Sequence, residues 1–285
     1  MKKLVSMLLA VIVLASCSEH NATSEKNIFV TIQPLKLLVD EITTGDFDVK
    51  VLVPEGASPE TYEPTSQQIA ALNSAEFIFK IGLIDFEQSL VSHIDNEEKI
   101  VNLSHGITPI EGSCSHHHAG HHHHHGIDPH IWTSPRALKI MVGNIEKSLM
   151  AKYPDSTKYA VAAERIVARL DSLDAYCAKR LSQTNTRAIM IYHPAYTYLA
   201  RDYNIEQISI EHEGKEPTPR QLTELIAKAR EMGIKQIFHQ PQYSPEKLRS
   251  IAEEIDAEII MCDPLAKDIE HEIRHIIDQI VRDNE

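Results

Sequence analysis

Histidine is the residue that stands out in this chain of 285, with 17 copies unevenly spread. Eight lie between His116 and His125: His116, His117 and His118, then Ala119-Gly120, then His121, His122, His123, His124 and His125. His130 follows in the segment Asp128-Pro129-His130-Ile131-Trp132. Neutral imidazole is the commonest protein ligand for zinc, copper and nickel, so metal binding is the first chemistry to consider. A purification tag sits at a terminus, whereas this tract is internal and flanked by sequence that reads as folded protein. Residues 113–126 are polar, glycine-bounded and low in complexity, a loop with no apolar face to pack. His130, beside Ile131 and Trp132, is expected to do a different job from the run before it.

Other candidate donors stand directly after apolar runs that read as strands. His193 follows Ala188-Ile189-Met190-Ile191-Tyr192, His239 follows Gln236-Ile237-Phe238, and Asp263 follows Glu258 to Cys262. Glu60 sits in the loop after Val49 to Val53, and His130 in the loop leading to Trp132. One histidine at a strand end is ordinarily a hydrogen-bonded structural residue. Several such groups on loops that face one cleft need another explanation. Two imidazoles with two carboxylates make a mixed nitrogen–oxygen site that suits Zn²⁺ and also Mn²⁺ or Fe²⁺. Catalytic zinc needs an open position and a nearby general base, and no HExxH signature occurs, which argues against a metallohydrolase. His20, His93, His105, His271 and His275 have no comparable setting.

The elements that carry these residues alternate strand and helix, which predicts an α/β fold with mainly parallel sheets. In the first half, strands are expected at 27–32, 49–53, 75–81 and 99–103. Helices follow through Leu35–Val39, from Thr65 or Ser66 to Leu72, over Asp85–His93 and from Pro135 to about Lys152. From Asp155 to Ser182 the period changes. Tyr159, Ala162, Ala163, Ile166, Leu170, Leu173, Cys177 and Leu181 recur at steps of three and four, one apolar stripe on one long helix capped by Asp155 or Ser156. The alternation then resumes, with strands at 188–192, 205–210, 236–238 and 258–261 and helices at 195–201, 220–232, 245–255 and 266–281. The chain is therefore divided into a first βα lobe (27–153, carrying the histidine loop 113–126), a bridging helix (154–184) and a second βα lobe (185–285). Ligands in such sheets gather at the carboxyl ends of strands, and here in the cleft between lobes.

The ends and the overall charge set the compartment. Lys2-Lys3, the apolar run Leu4–Leu14 and the segment Leu14-Ala15-Ser16-Cys17 make an export signal over residues 1–16, too short to span a bilayer comfortably. Leu-Ala-Ser-Cys resembles a bacterial lipobox, which implies that Cys17 becomes a lipid-bearing first residue, with 17–26 as a polar tether. Cys114, Cys177 and Cys262 show no zinc-finger spacing, and no disulfide is assigned. A net charge of −13 and pI near 5.7 argue against nucleic acid as a partner.

The segments VPEGASPETYEP, DPHIWTSP, IYHPAYTYLA, EGKEPTPRQL and IFHQPQYSPEKLRSIAEEI…CDPLA resemble those of the cluster A metal-binding receptors of bacterial ABC importers, which take up zinc or manganese. The resemblance covers almost all of the chain after the tether, in order, with DPH-W followed by the long helix as its most specific part. It implies two βα lobes with four-stranded sheets bridged by a rigid helix, and metal held between them. Carried over by residue, it implies that His130, His193 and Asp263 are metal ligands. The family's usual first ligand is a histidine at the position of Glu60, so here the set becomes Glu60, His130, His193 and Asp263, with Glu63 or His239 as alternative completions. The implied protein is no enzyme. It is a monomer, exported to the periplasm or cell surface, lipid-anchored, and delivers Zn²⁺ to a permease. Mn²⁺ or Fe²⁺ reception, or a surface metal buffer or adhesin, are the alternatives. The histidine run, with His239, is an accessory metal-capturing feature that points toward zinc.

Overall fold

The computed structural model describes residues 26–111, 126–184, 188–211 and 215–282. The expected export signal, Cys17 and the run His116–His125 lie outside these residues.

The first lobe is built from β1 (Asn27–Val30), α1 (Gln33–Thr43), β2 (Asp48–Val51), α2 (Ser66–Asn73), β3 (Phe77–Lys80), α3 (Asp85–Val91), β4 (Ile100–Asn102) and α4 (Pro135–Lys152). After α5 (Lys158–Leu181), the second lobe runs β5 (Ala188–Ile191), α6 (Thr197–Tyr203), β6 (Glu206–Ser209), α7 (Pro219–Glu231), β7 (Gln236–His239), α8 (Glu246–Ile255), β8 (Glu258–Met261) and α9 (Ile269–Arg282). Each lobe holds one four-stranded, all-parallel sheet, ordered β2-β1-β3-β4 and β6-β5-β7-β8. The two sheets are thus wound the same way. Residues Ile28 to Val30 and Phe77 to Phe79 are buried without alternation, as strands covered by helices on both faces must be.

Local signals set the helix ends. Thr65 and Gln68 form a reciprocal capping box at the start of α2. Pro34 opens α1, which stops where Thr44 and Gly45 turn to positive φ.

Helix α5 spans 24 residues, about 36 Å at 1.5 Å per residue. All eight residues of its expected stripe, Tyr159 through Leu181, are buried. They pack against α1 and α4 of the first lobe and α6 and α9 of the second, so one helix serves both cores. Polar groups repeat the pattern: Arg169 donates to Glu41 on α1 (2.9 Å) and to Glu270 on α9 (2.9 Å). The start of α5 differs from expectation. Thr157 occupies the cap without a side-chain hydrogen bond. Asp155 and Ser156 instead belong to a turn closed by the Ser156 amide on the Tyr153 carbonyl. The first helical turn is held from outside by Asp46, which accepts from Lys158 and Tyr159 at 2.6 Å each. Among the described residues no helix is long and apolar enough to cross a membrane.

Candidate metal centre

Glu60 is presented by a short turn, a 3-10 helix over Pro59–Thr61 that Ser58 caps by accepting from the Glu60 amide. The turn is anchored by Tyr62, which packs edge-on against Phe86 and accepts a hydrogen bond from Gln68. Gln68 also donates to the Leu52 carbonyl at the end of β2, so the α2 cap fixes the loop that carries Glu60.

His130 precedes another 3-10 turn, Ile131–Thr133. The Asp128 carboxylate accepts from both the His130 amide (2.9 Å) and ring Nδ1 (3.0 Å). Burial opposes ionisation of Asp128, but its contacts with His130 prevail and hold its pKa below the usual carboxylate range. Trp132, 2% exposed, sends its indole N–H across the cleft to the Pro264 carbonyl at 2.6 Å.

His193 comes from the second lobe, just past β5. Gln240 clamps its backbone from both sides, accepting from the His193 amide (3.2 Å) and donating to its carbonyl (2.7 Å). The ring Nδ1 lies 2.5 Å from Glu211 Oε1, and Tyr243 stacks over the ring face. Burial would lower the His193 pKa, yet the carboxylates of Glu211 and Glu60 outweigh it and raise it to about 10.

These three residues meet. Glu60 Oε1 is 3.0 Å from His193 Nε2 and 3.9 Å from His130 Nε2, and the two Nε2 atoms are 3.2 Å apart. One donor atom from each of the three lies within 4.8 Å of the others. A carboxylate can only accept, so the Nδ1 atoms carry protons toward Asp128 and Glu211 and both Nε2 atoms are left to face the cleft. They border a cavity of about 30 Å³ that Trp132, Tyr243 and Leu265 also line. Sites for organic ligands typically run to 300 Å³ or more, whereas this one suits a single small cation.

The remaining candidates lie apart from that group. Asp263 Oδ1 accepts from the Leu265 amide at 3.0 Å and from Gln242 at 3.5 Å, while its own amide donates to buried Glu272. Its neighbours Pro264 and Leu265 line the cavity. His239 ends β7 with its Nε2 on the Tyr243 carbonyl at 2.7 Å, where it holds the turn that carries Gln240 and Tyr243. Glu63 is exposed. Two contributors have no signal of their own in the sequence: Gln240, whose sequence neighbourhood gives no hint of a clamp, and Glu211, which lies between the expected strand at 205–210 and the expected helix at 220–232. Its position two residues past β6 was the available signal.

Residues 28–282 match the family described as the periplasmic zinc-uptake complex component A. The chain belongs to this family. It is a family of binding components, not of enzymes. The fold is similar to a crystal structure of ZnuA, with a TM-score of 0.82 and 34% identity over 92% of this chain and 100% of that one. A ZnuA deletion mutant with zinc bound gives the same TM-score and identity, over 92% of this chain and 98% of that one. The zinc-binding lipoprotein AdcA of Streptococcus pneumoniae is 27% identical over 273 residues, 92% of this chain. The chain spans 54% of the length of that relative.

Proposed function

We propose that the chain is the extracytoplasmic capture component of a metal importer, taking Zn²⁺ between its lobes on Glu60, His130 and His193 and passing it to a membrane permease. The observation that carries this reading is the convergence of three donors from two lobes on one small cavity of ion size. The zinc-bound ZnuA relative and the zinc-binding AdcA supply the choice of metal. In this reading Asp263, two residues past β8 and outside the group of three in the metal-free arrangement, moves in as the fourth donor when the ion binds, and lipid on Cys17 keeps the protein at the membrane.

A second reading, a manganese or iron receptor, is favoured by one feature: Glu60 supplies oxygen, and carboxylate suits Mn²⁺ better than imidazole does. The histidine run is accessory in both readings. Its flanks Glu111 and Ile127 pair as a β-bridge, so removal of residues 114–125 leaves the frame closed.

The test is equilibrium titration of metal-free protein lacking 114–125, with Zn²⁺ and Mn²⁺ in competition. One tightly held Zn²⁺ per chain, preferred over Mn²⁺, is expected. No tight binding would overturn the assignment to Glu60, His130 and His193, and preference for Mn²⁺ would favour the second reading.

A further inference from the structure

The two histidines of the cleft are braced differently. His130 leans on Asp128, two residues before it, and the same carboxylate oxygen also holds the His130 amide. His193 leans on Glu211, 18 residues away on a different strand end, at 2.5 Å. Glu211 is 6% exposed, and its amide donates to the Tyr192 carbonyl at 3.0 Å, so its backbone is tied to the residue preceding His193. A buried carboxylate is costly unless paired and hydrogen-bonded. This one spends its interaction on a ring nitrogen that faces away from the cavity.

We propose that Glu211 is a positioning residue for the cation. By accepting the Nδ1 proton of His193, it fixes the ring so that Nε2 faces Glu60 and His130 and is the nitrogen that gives up its proton to take a metal. It also strengthens that nitrogen as a donor, because the carboxylate absorbs positive charge that develops on the ring when Nε2 binds a metal. Carboxylate partners of this kind typically contribute 10- to 100-fold in metal affinity. The inference rests on the reading of His193 as a metal donor. It extends the site one step into the second lobe, to a residue that never touches the ion.

The experiment compares wild type, E211Q and E211A in the full mature chain, with folding of each checked by thermal melting without metal. Zn²⁺ affinity should fall about 10- to 100-fold in E211A, and E211Q, which keeps an acceptor oxygen without the charge, should lie between. Long-range ¹H–¹⁵N correlation spectra of zinc-loaded wild type should find His193 protonated at Nδ1 and bound through Nε2. In folded, zinc-loaded E211Q or E211A that single arrangement should be lost, with part of the ring bound through Nδ1, which a change in packing alone would not cause. Metal on Nδ1 in wild type, or folded E211A with wild-type affinity, overturns the proposal. Should E211A fail to fold, the affinity and spectrum of E211Q decide it, and wild-type values for both overturn it. If wild type itself takes up no Zn²⁺ tightly, the reading of the site as a zinc centre fails instead, which is a separate result.

Discussion

The Nε2 atoms of His130 and His193, one from each lobe, face each other at 3.2 Å. Two lone pairs do not hold that separation in a buried site without positive charge between or beside them, and a proton or a metal ion supplies it. Replacing either ring by alanine should therefore lower Zn²⁺ affinity by about two orders of magnitude, about 3 kcal/mol. Competition against a chelator of known affinity measures this. A variant that keeps wild-type affinity removes its histidine from the donor set.

Glu60 makes the site harder than three imidazoles would. Glu60→His should raise the preference for Zn²⁺ over Mn²⁺ by about tenfold, about 1.4 kcal/mol. Glu60→Ala should weaken both metals. Titration of each variant with the two ions in competition reads the ratio directly, and an unchanged ratio in Glu60→His would mean that Glu60 does not select.

The bond from Trp132 to the Pro264 carbonyl joins the lobes next to the donors. Trp132→Phe keeps most of the aromatic bulk and leaves that carbonyl without its donor, which should cost about 1–3 kcal/mol of stability. Urea unfolding of the metal-free protein checks it. The loss should exceed that from a tryptophan-to-phenylalanine change in ring size alone, so cavity creation is controlled by comparing Trp132→Phe with and without a nearby filling substitution.

Asp174 on α5 gathers Tyr203 from the second lobe with Arg136 and Lys139 from the first. Burial raises its pKa, but these partners outweigh burial and hold it below the usual value. A depressed carboxylate stabilises the fold above the unfolded pKa, about 3.9, and that contribution disappears as pH falls through the lower folded value. Asp174→Asn should therefore be less stable than wild type at pH 7, with the gap closing below about pH 4. Thermal melts across that range test the sign, and a gap that widens in acid would contradict it.

The spine was legible because a buried helix face repeats at a fixed step: each of the eight residues from Tyr159 to Leu181 that the period marks is buried. His130 and His193 were legible because parallel strands deliver loop residues to one edge of each sheet. Glu211 was not, because its link to His193 joins two loops with no shared period. The cap of α5 misled for a related reason. Asp155 and Ser156 are good capping residues, but the turn after α4 uses them, and Asp46 from another element takes over the first turn. Local signals describe what a residue can do, while tertiary contacts decide which option is used.

The cavity beside the donors holds about 30 Å³, room for about two water molecules. A divalent ion arrives carrying roughly six or more oxygen neighbours, so it has to shed most of its hydration before it seats. Mg²⁺ gives up water reluctantly. The narrowness of the cavity thus places a dehydration step at the point of binding, and an ion that sheds water readily passes it at lower cost than one that does not.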